Sequence, residues 1–221
     1  MFTVLTPIHI NNVRLTRMNA DQLKNIEQAI DTLCDNLVWT WGYYRSLNTL
    51  HNLAKTTPAS LDPFPEFVSC LYYGYFDLLF IKINHFIDPT KGACGLPRLF
   101  KILRSYAPDE TLLLEQIKKD EKRLKRKASL DKIKKWRNQI SAHLTLSNNN
   151  PEFFNQNRLH LKQIEAIIKT LEEIVGYYSK IFLGRVNSMR NPSKKITREV
   201  KSLFSGKPNK PIQRPGLRHD R

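Results

Sequence analysis

Three residues within KKWRNQISAHLTL, Lys134 to Leu146, are of types that handle phosphates: Arg137, Asn138 and His143. A guanidinium is a permanent cation whose planar fork matches two oxygens of a phosphate. An imidazole exchanges protons near neutral pH. On a helical wheel with Ile133 at zero, Leu130, Ile133, Trp136, Ile140 and Leu144 fall within roughly 60° of that direction. Arg137 lies at about 40°, inside this apolar stripe, and His143 at about 280°, on its far edge. Asn138 and Ser141 flank the arginine, while Lys134 and Lys135 turn toward solvent. A guanidinium on an apolar face must find an anion or a dense set of acceptors. The structural reading is an internal salt bridge, for which Asp77 is a candidate partner, and the functional one is a ligand phosphate. His143 ends the helix, where the dipole favours its protonated form.

The helices that would position these residues sit in a chain of 221 residues, enough for one domain with a sound core. The net charge of +16 implies a polyanionic partner, nucleic acid first and an anionic membrane surface second. Residues 185–221 hold eleven Lys/Arg against Glu199 and Asp220, a net of +9. With many prolines and few apolar residues, they read as a basic, disordered tail behind a bundle domain of residues 1–184. The cysteines Cys34, Cys70 and Cys94 show no pairing pattern and read as small buried hydrophobes of a reduced, cytoplasmic protein. The N-terminus lacks the pattern of a signal peptide. The window Phe67–Ile87 has the length of a membrane span but contains Asp77, Lys82, Asn84 and His85, each costly in lipid. It predicts a central bundle helix and no membrane partner.

Spacings of three and four predict an all-α fold, an antiparallel helical bundle. Asn19 with Gln22 marks the first helix start, followed by the stripe Leu23, Ile26, Ile30, Leu33 and Leu37. This helix is expected to break before continuing through VWTWGYYRSLNTLHNLA. The aromatic cluster in that segment reads as core, with base stacking as the functional alternative. The apolar helix Glu66–Ile87 stops at Asp88-Pro89, and PRLFKILRSY forms a short one. From Asp109 a leucine-rich helix becomes almost wholly charged at KKDEKRLKRK, Lys118–Lys127, predicting a solvated tip of a hairpin. Ser129 is the expected cap of the helix carrying Arg137. A last helix carries Leu161, Ile164, Ile168, Leu171, Val175 and Tyr178.

RNQISAH resembles the R-x(4–6)-H motif of the HEPN superfamily, with Asn138 at its preferred polar position. The layout from about Asn19 to Gly184 is similar to the abortive-infection branch: a long first helix, an apolar second helix ending at "DP", then "LPRLF" before the motif. Arg45/His51 and Arg214/His219 also fall within the spacings that the motif allows. Position, Asn138 and basic surroundings select Arg137/His143. A tyrosine two positions beyond the histidine, used by the branch paired with nucleotidyltransferase antitoxins, is Thr145 here.

The resemblance implies a metal-independent endoribonuclease, without cofactor, acting in phage defence or as a toxin. The ribose 2′-hydroxyl would attack its neighbouring phosphate, giving a 2′,3′-cyclic phosphate and a 5′-hydroxyl. His143 would move the proton, Arg137 would neutralise the phosphoryl oxygens, and Asn138 would orient either partner. Lys134, Lys135 and Ser141 would bind the RNA. Six positions separate Arg137 from His143 by about 9 Å along the helix and roughly 120° around it. A homodimer joining two motifs across a two-fold axis would bring them together. An antitoxin or other regulatory protein is a further expected partner. Two alternatives stand beside this reading: a non-catalytic HEPN-like domain that binds nucleic acid or a partner protein, and a helical scaffold whose tail neutralises RNA or membrane charge.

Overall fold

The computed structural model describes residues 18–90, 93–143, 156–185 and 193–204, with side chains omitted at 139–143 and 193–195. Among these residues the elements are α1 (Ala20–Thr56), a short 3-10 turn (Pro58–Ser60), α2 (Pro65–Ile87), α3 (Leu96–Tyr106), α4 (Thr111–Lys125), α5 (Ala128–His143), α6 (Leu161–Leu183) and α7 (Ser193–Phe204). The described fold is all-α, as the periodicity predicts.

Helix α1 opens on a capping box: Gln22 N donates to Asn19 Oδ1 at 2.9 Å, and Asn19 N donates to Gln22 Oε1 at 3.0 Å. The expected break does not occur, and α1 runs 37 residues through Gly42. Helices α2, α6 and α7 pack along it, and tertiary burial overrides the weak propensity of VWTWG. Ile26, Ile30, Leu33 and Leu37 are buried, while Leu23 stays exposed. The aromatic cluster divides: Trp41 and Tyr44 are core, but Trp39 is 58% exposed.

Lys82 Nζ donates to Asn36 Oδ1 at 3.2 Å, and the Tyr43 and Tyr75 rings lie 6.1 Å apart. These two ties make α2 antiparallel to α1. Only the C-terminal half of α2 is deeply covered, by Leu79, Phe80, Ile83, Asn84 and Phe86. Gly95 then packs so closely on the end of α2 that a Cβ would sit 2.5 Å from the His85 carbonyl oxygen. The loop after α2 can close there only around glycine.

The charged run is at the turn of the α4–α5 hairpin with Lys118, Lys119, Lys122, Arg123, Lys125 and Arg126 exposed, as expected, but its inner side is not solvated. Helix α4 lies antiparallel along α6, with Ile117 and Asp120 buried. Tyr178 Oη donates to Asp120 at 2.9 Å, Arg123 pairs with Glu173, and Lys127 Nζ donates to the Ala166 carbonyl at 3.3 Å. One apolar turn and one buried carboxylate suffice to anchor a segment that looks polar all round. Helix α5 starts at Ala128, one residue before the expected cap Ser129.

The boundary expected at 184 is also corrected. Gly184 ends α6 in the left-handed region at φ 61°, a conformation that favours glycine. Arg185 then grips Glu27 and Asp31 at 2.7 and 2.9 Å. Residues 193–204, placed by composition in the tail, form α7 on α1, with Val200 and Phe204 buried against Leu50 and Leu61. Few apolar residues make a helix look disordered, yet three at 196, 200 and 204 form one face. The rest of the expected tail, 205–221, lies outside the described residues.

The cysteine reading needs correction too: Cys34 is half-buried, but Cys70 and Cys94 are exposed. Among the described residues no helix is long and apolar enough to cross a membrane.

Candidate functional site

Leu130 and Ile133 seat α5 in the core. Trp136 packs edge-on against Phe76 at 5.4 Å and near Phe80 at 5.9 Å, and its Nε1 donates to the Asn157 carbonyl at 2.8 Å. These contacts fix the rotation of α5 and hence the direction in which Arg137 leaves it.

Arg137 is not sealed in the apolar face. Its side chain is 44% exposed, because α2, which covers that side of α5, ends at Ile87 and turns away at Asp88-Pro89. The guanidinium emerges beside this end. Its Nη2 lies 4.0 Å from Asp88 Oδ2, and its Nη1 donates to Asn138 Oδ1 at 3.3 Å. The carboxylate that meets it is thus Asp88, where Asp77 was the candidate for an internal partner. At 4.0 Å the pair is a loose one, and a guanidinium carries five N–H donors. Most of its capacity is open to another acceptor.

Thr90 accounts for much of the state of Asp88. Its hydroxyl and backbone N–H both donate to Oδ1, at 2.5 and 2.9 Å. They hold the Asp88 carboxyl below its usual range, with Arg137 and His85 adding smaller effects. The His85 imidazole is held below its own ordinary value, first by desolvation and then by Lys82.

A cavity of about 170 Å³ opens here, lined by Asn84, Ile87, Asp88, Lys134, Arg137 and Asn138, with Pro89 at its edge. Three of the expected site residues therefore share one concavity. Lys134 is exposed and 3.7 Å from Asp131, so its ammonium is only weakly held. Lys135 is exposed but does not line the cavity. Ser141 and His143 belong to the last turn of α5, and the placement of their side chains lies outside the described residues, as does Thr145.

Asn84 and Asp88 were not singled out as site residues. Their signal was present, since Asn84 is a polar residue in an otherwise apolar helix and is buried against the cavity. Asp88 read only as a helix stop. The competing pair is otherwise engaged: the Arg45 guanidinium lies 5.1 Å above the Trp41 ring and 6.0 Å from the Tyr44 ring, with Nε buried. Arg214 and His219 lie outside the described residues.

The arrangement offers an anion seat of two cations and two carboxamides, shielded on one side by the end of α2, where the Asp88 carboxylate is the one opposing charge among the described lining residues. Comparison with protein families finds a match to HEPN AbiU2 over residues 23–203. The match extends past residue 184 and takes in nearly all of α7, as the packing of that helix requires. Searches of curated proteins and of solved structures found no match. With a helical bundle in place and most of its length matched, the chain belongs to the AbiU2 family of HEPN domains, an abortive-infection family.

Proposed function

We propose that the protein is a metal-independent endoribonuclease of phage defence, cleaving RNA by attack of a 2′-hydroxyl on the adjacent phosphate. The observation that carries the reading is Arg137: an accessible guanidinium, held by Asn138 and only loosely by Asp88, on the rim of a cavity that also takes Lys134. Placed on a scissile phosphate, it neutralises charge that grows on the phosphoryl oxygens, and a guanidinium in a part-desolvated seat does this best. Asn138 orients it. His143, on the final turn of the same helix, moves the proton. The distance along α5 between Arg137 and His143 calls for a second copy that completes each site.

The apolar exposure favours such a dimer. Phe67, Tyr73 and Leu78 of α2 and Val38 and Trp39 of α1 are exposed to between 38% and 67%. Trp39 lies between the Asn36–Lys82 and Tyr43–Tyr75 ties on α1, as Leu78 does on α2, so the two belong to neighbouring stretches. Exposed apolar residues on adjoining helices, as Trp39 and Leu78 are, mark an interaction surface. The cavity that Arg137 lines opens at the C-terminal end of α2.

The Asp88 contact supports a second reading, a non-catalytic HEPN domain that binds RNA or a partner protein with Arg137 in a structural ion pair. Incubation of labelled RNA in EDTA separates the two. Under the nuclease reading Arg137→Ala and His143→Ala each lower cleavage by about 10²–10⁴-fold with folding intact, and the parent leaves cyclic phosphate ends. Parent and variants cutting at one rate, or none cutting while all bind RNA, would remove the catalytic assignment.

A further inference from the structure

We infer that the outward face of α4 is a second RNA-binding surface, a guide for the substrate strand separate from the Arg137 cavity. This rests on the ribonuclease reading only for the kind of polyanion named. Lys118, Lys122 and Lys125 fall on one line of the helix, with Lys119 and Arg126 beside it, opposite the buried line of Leu113, Ile117 and Asp120. All five are exposed, and none forms an ion pair among the described residues. The two carboxylates of the segment are turned away from them. Asp120 is buried under Tyr178 and Gln116, and Glu121 is bound to Arg104 at 2.7 Å. The face is therefore purely cationic from one turn past Glu115 to the end of the helix.

Lys122 has Lys118 and Arg126 four positions away and Lys119 and Lys125 three away, all of its own sign. Such pairs destabilise a helix. The helix dipole offsets this at Lys122 and Lys125, in the last turn, but fades before Lys118 and Lys119. A row of phosphates relieves all five at once. An anionic membrane is the poorer match, because this face has no apolar residue to insert between lipids; the exposed Leu112 is off its edge and further back.

The test uses the full chain and a variant carrying Lys118→Gln, Lys122→Gln, Lys125→Gln and Arg126→Gln. Binding to single-stranded poly(U) is measured over a range of salt, beside binding to vesicles containing anionic phospholipid. The slope of log affinity against log salt should fall in magnitude by about 2 to 3, from roughly 0.7 per lost phosphate contact. For cleavage, KM should rise about tenfold or more while kcat holds. The variant should melt no lower than the parent, since repulsion has been removed. An unchanged slope overturns the proposal, as does a variant that loses vesicle binding while keeping RNA binding. If the parent binds poly(U) and cuts nothing, the slope still decides this surface, and only the nuclease reading falls.

Discussion

Asp120 shows how one carboxylate can be both an anchor and a liability. It is almost fully buried, accepting from Tyr178 at 2.9 Å and from Gln116 at 3.2 Å, with no cation in direct contact. Burial raises its pKa, and the hydrogen bonds from Gln116 and Tyr178 only partly oppose this. The same burial, with the Asp120 charge, pushes the Tyr178 phenol far up, so it remains a donor at every working pH. Because the folded value lies above the unfolded one, the stabilising contribution of Asp120 is complete below about pH 4 and is lost as pH rises through the folded value. Asp120→Asn should therefore be more stable than the parent at neutral pH, with the gap closing on acidification; urea denaturation across pH 4 to 8 would show it. Tyr178→Phe should cost about 1–3 kcal/mol and be most costly where Asp120 is ionised. An Asp120→Asn variant that is uniformly less stable would mean that the carboxylate is better solvated than its burial implies.

At the scale of elements, α7 was the piece least visible in the sequence. Its face of Ile196, Val200 and Phe204 has only three members, set among lysines and next to a proline-rich stretch. The rest of the helices could be read directly, because Ile26 to Leu37 and Ile164 to Tyr178 keep strict spacing over several turns. The expected break in α1 failed, and the expected solvated tip in α4 held only on its outer side, for a shared reason: both readings judged a segment without the partner that covers it. The cavity was half legible. Arg137, Asn138 and Lys134 lie adjacent on one helix and could be found from α5 alone, whereas Asn84 and Asp88 reach it from α2 through packing that no local pattern encodes. Phe204→Ala should cost about 3 kcal/mol, as for other buried aromatic truncations. Its neighbour Leu203, 62% exposed, should tolerate alanine within about 0.5 kcal/mol. Thermal melts of the pair check the docking of α7, and equal losses would refute it.

For the whole molecule, the dimer required by the proposed chemistry predicts that the chain sediments as two copies. Trp39→Asp with Leu78→Asp, both at exposed positions, should leave the fold intact, yield monomers and abolish cleavage. Sedimentation and activity measured on one sample check this, and an active monomer would show that one copy holds a complete site. The C-terminal part of the fold retraces α1. Arg185 holds Glu27 and Asp31, Ile196 lies over Gly42, and Val200 and Phe204 reach Leu50 and Leu61. This segment follows the other described helices in synthesis, so the groove it fills on α1 stays open until Phe204 has cleared the ribosome. A chain cut short before Phe204 therefore leaves Leu50 and Leu61 uncovered, and such a truncation should unfold and be digested more readily than the full chain.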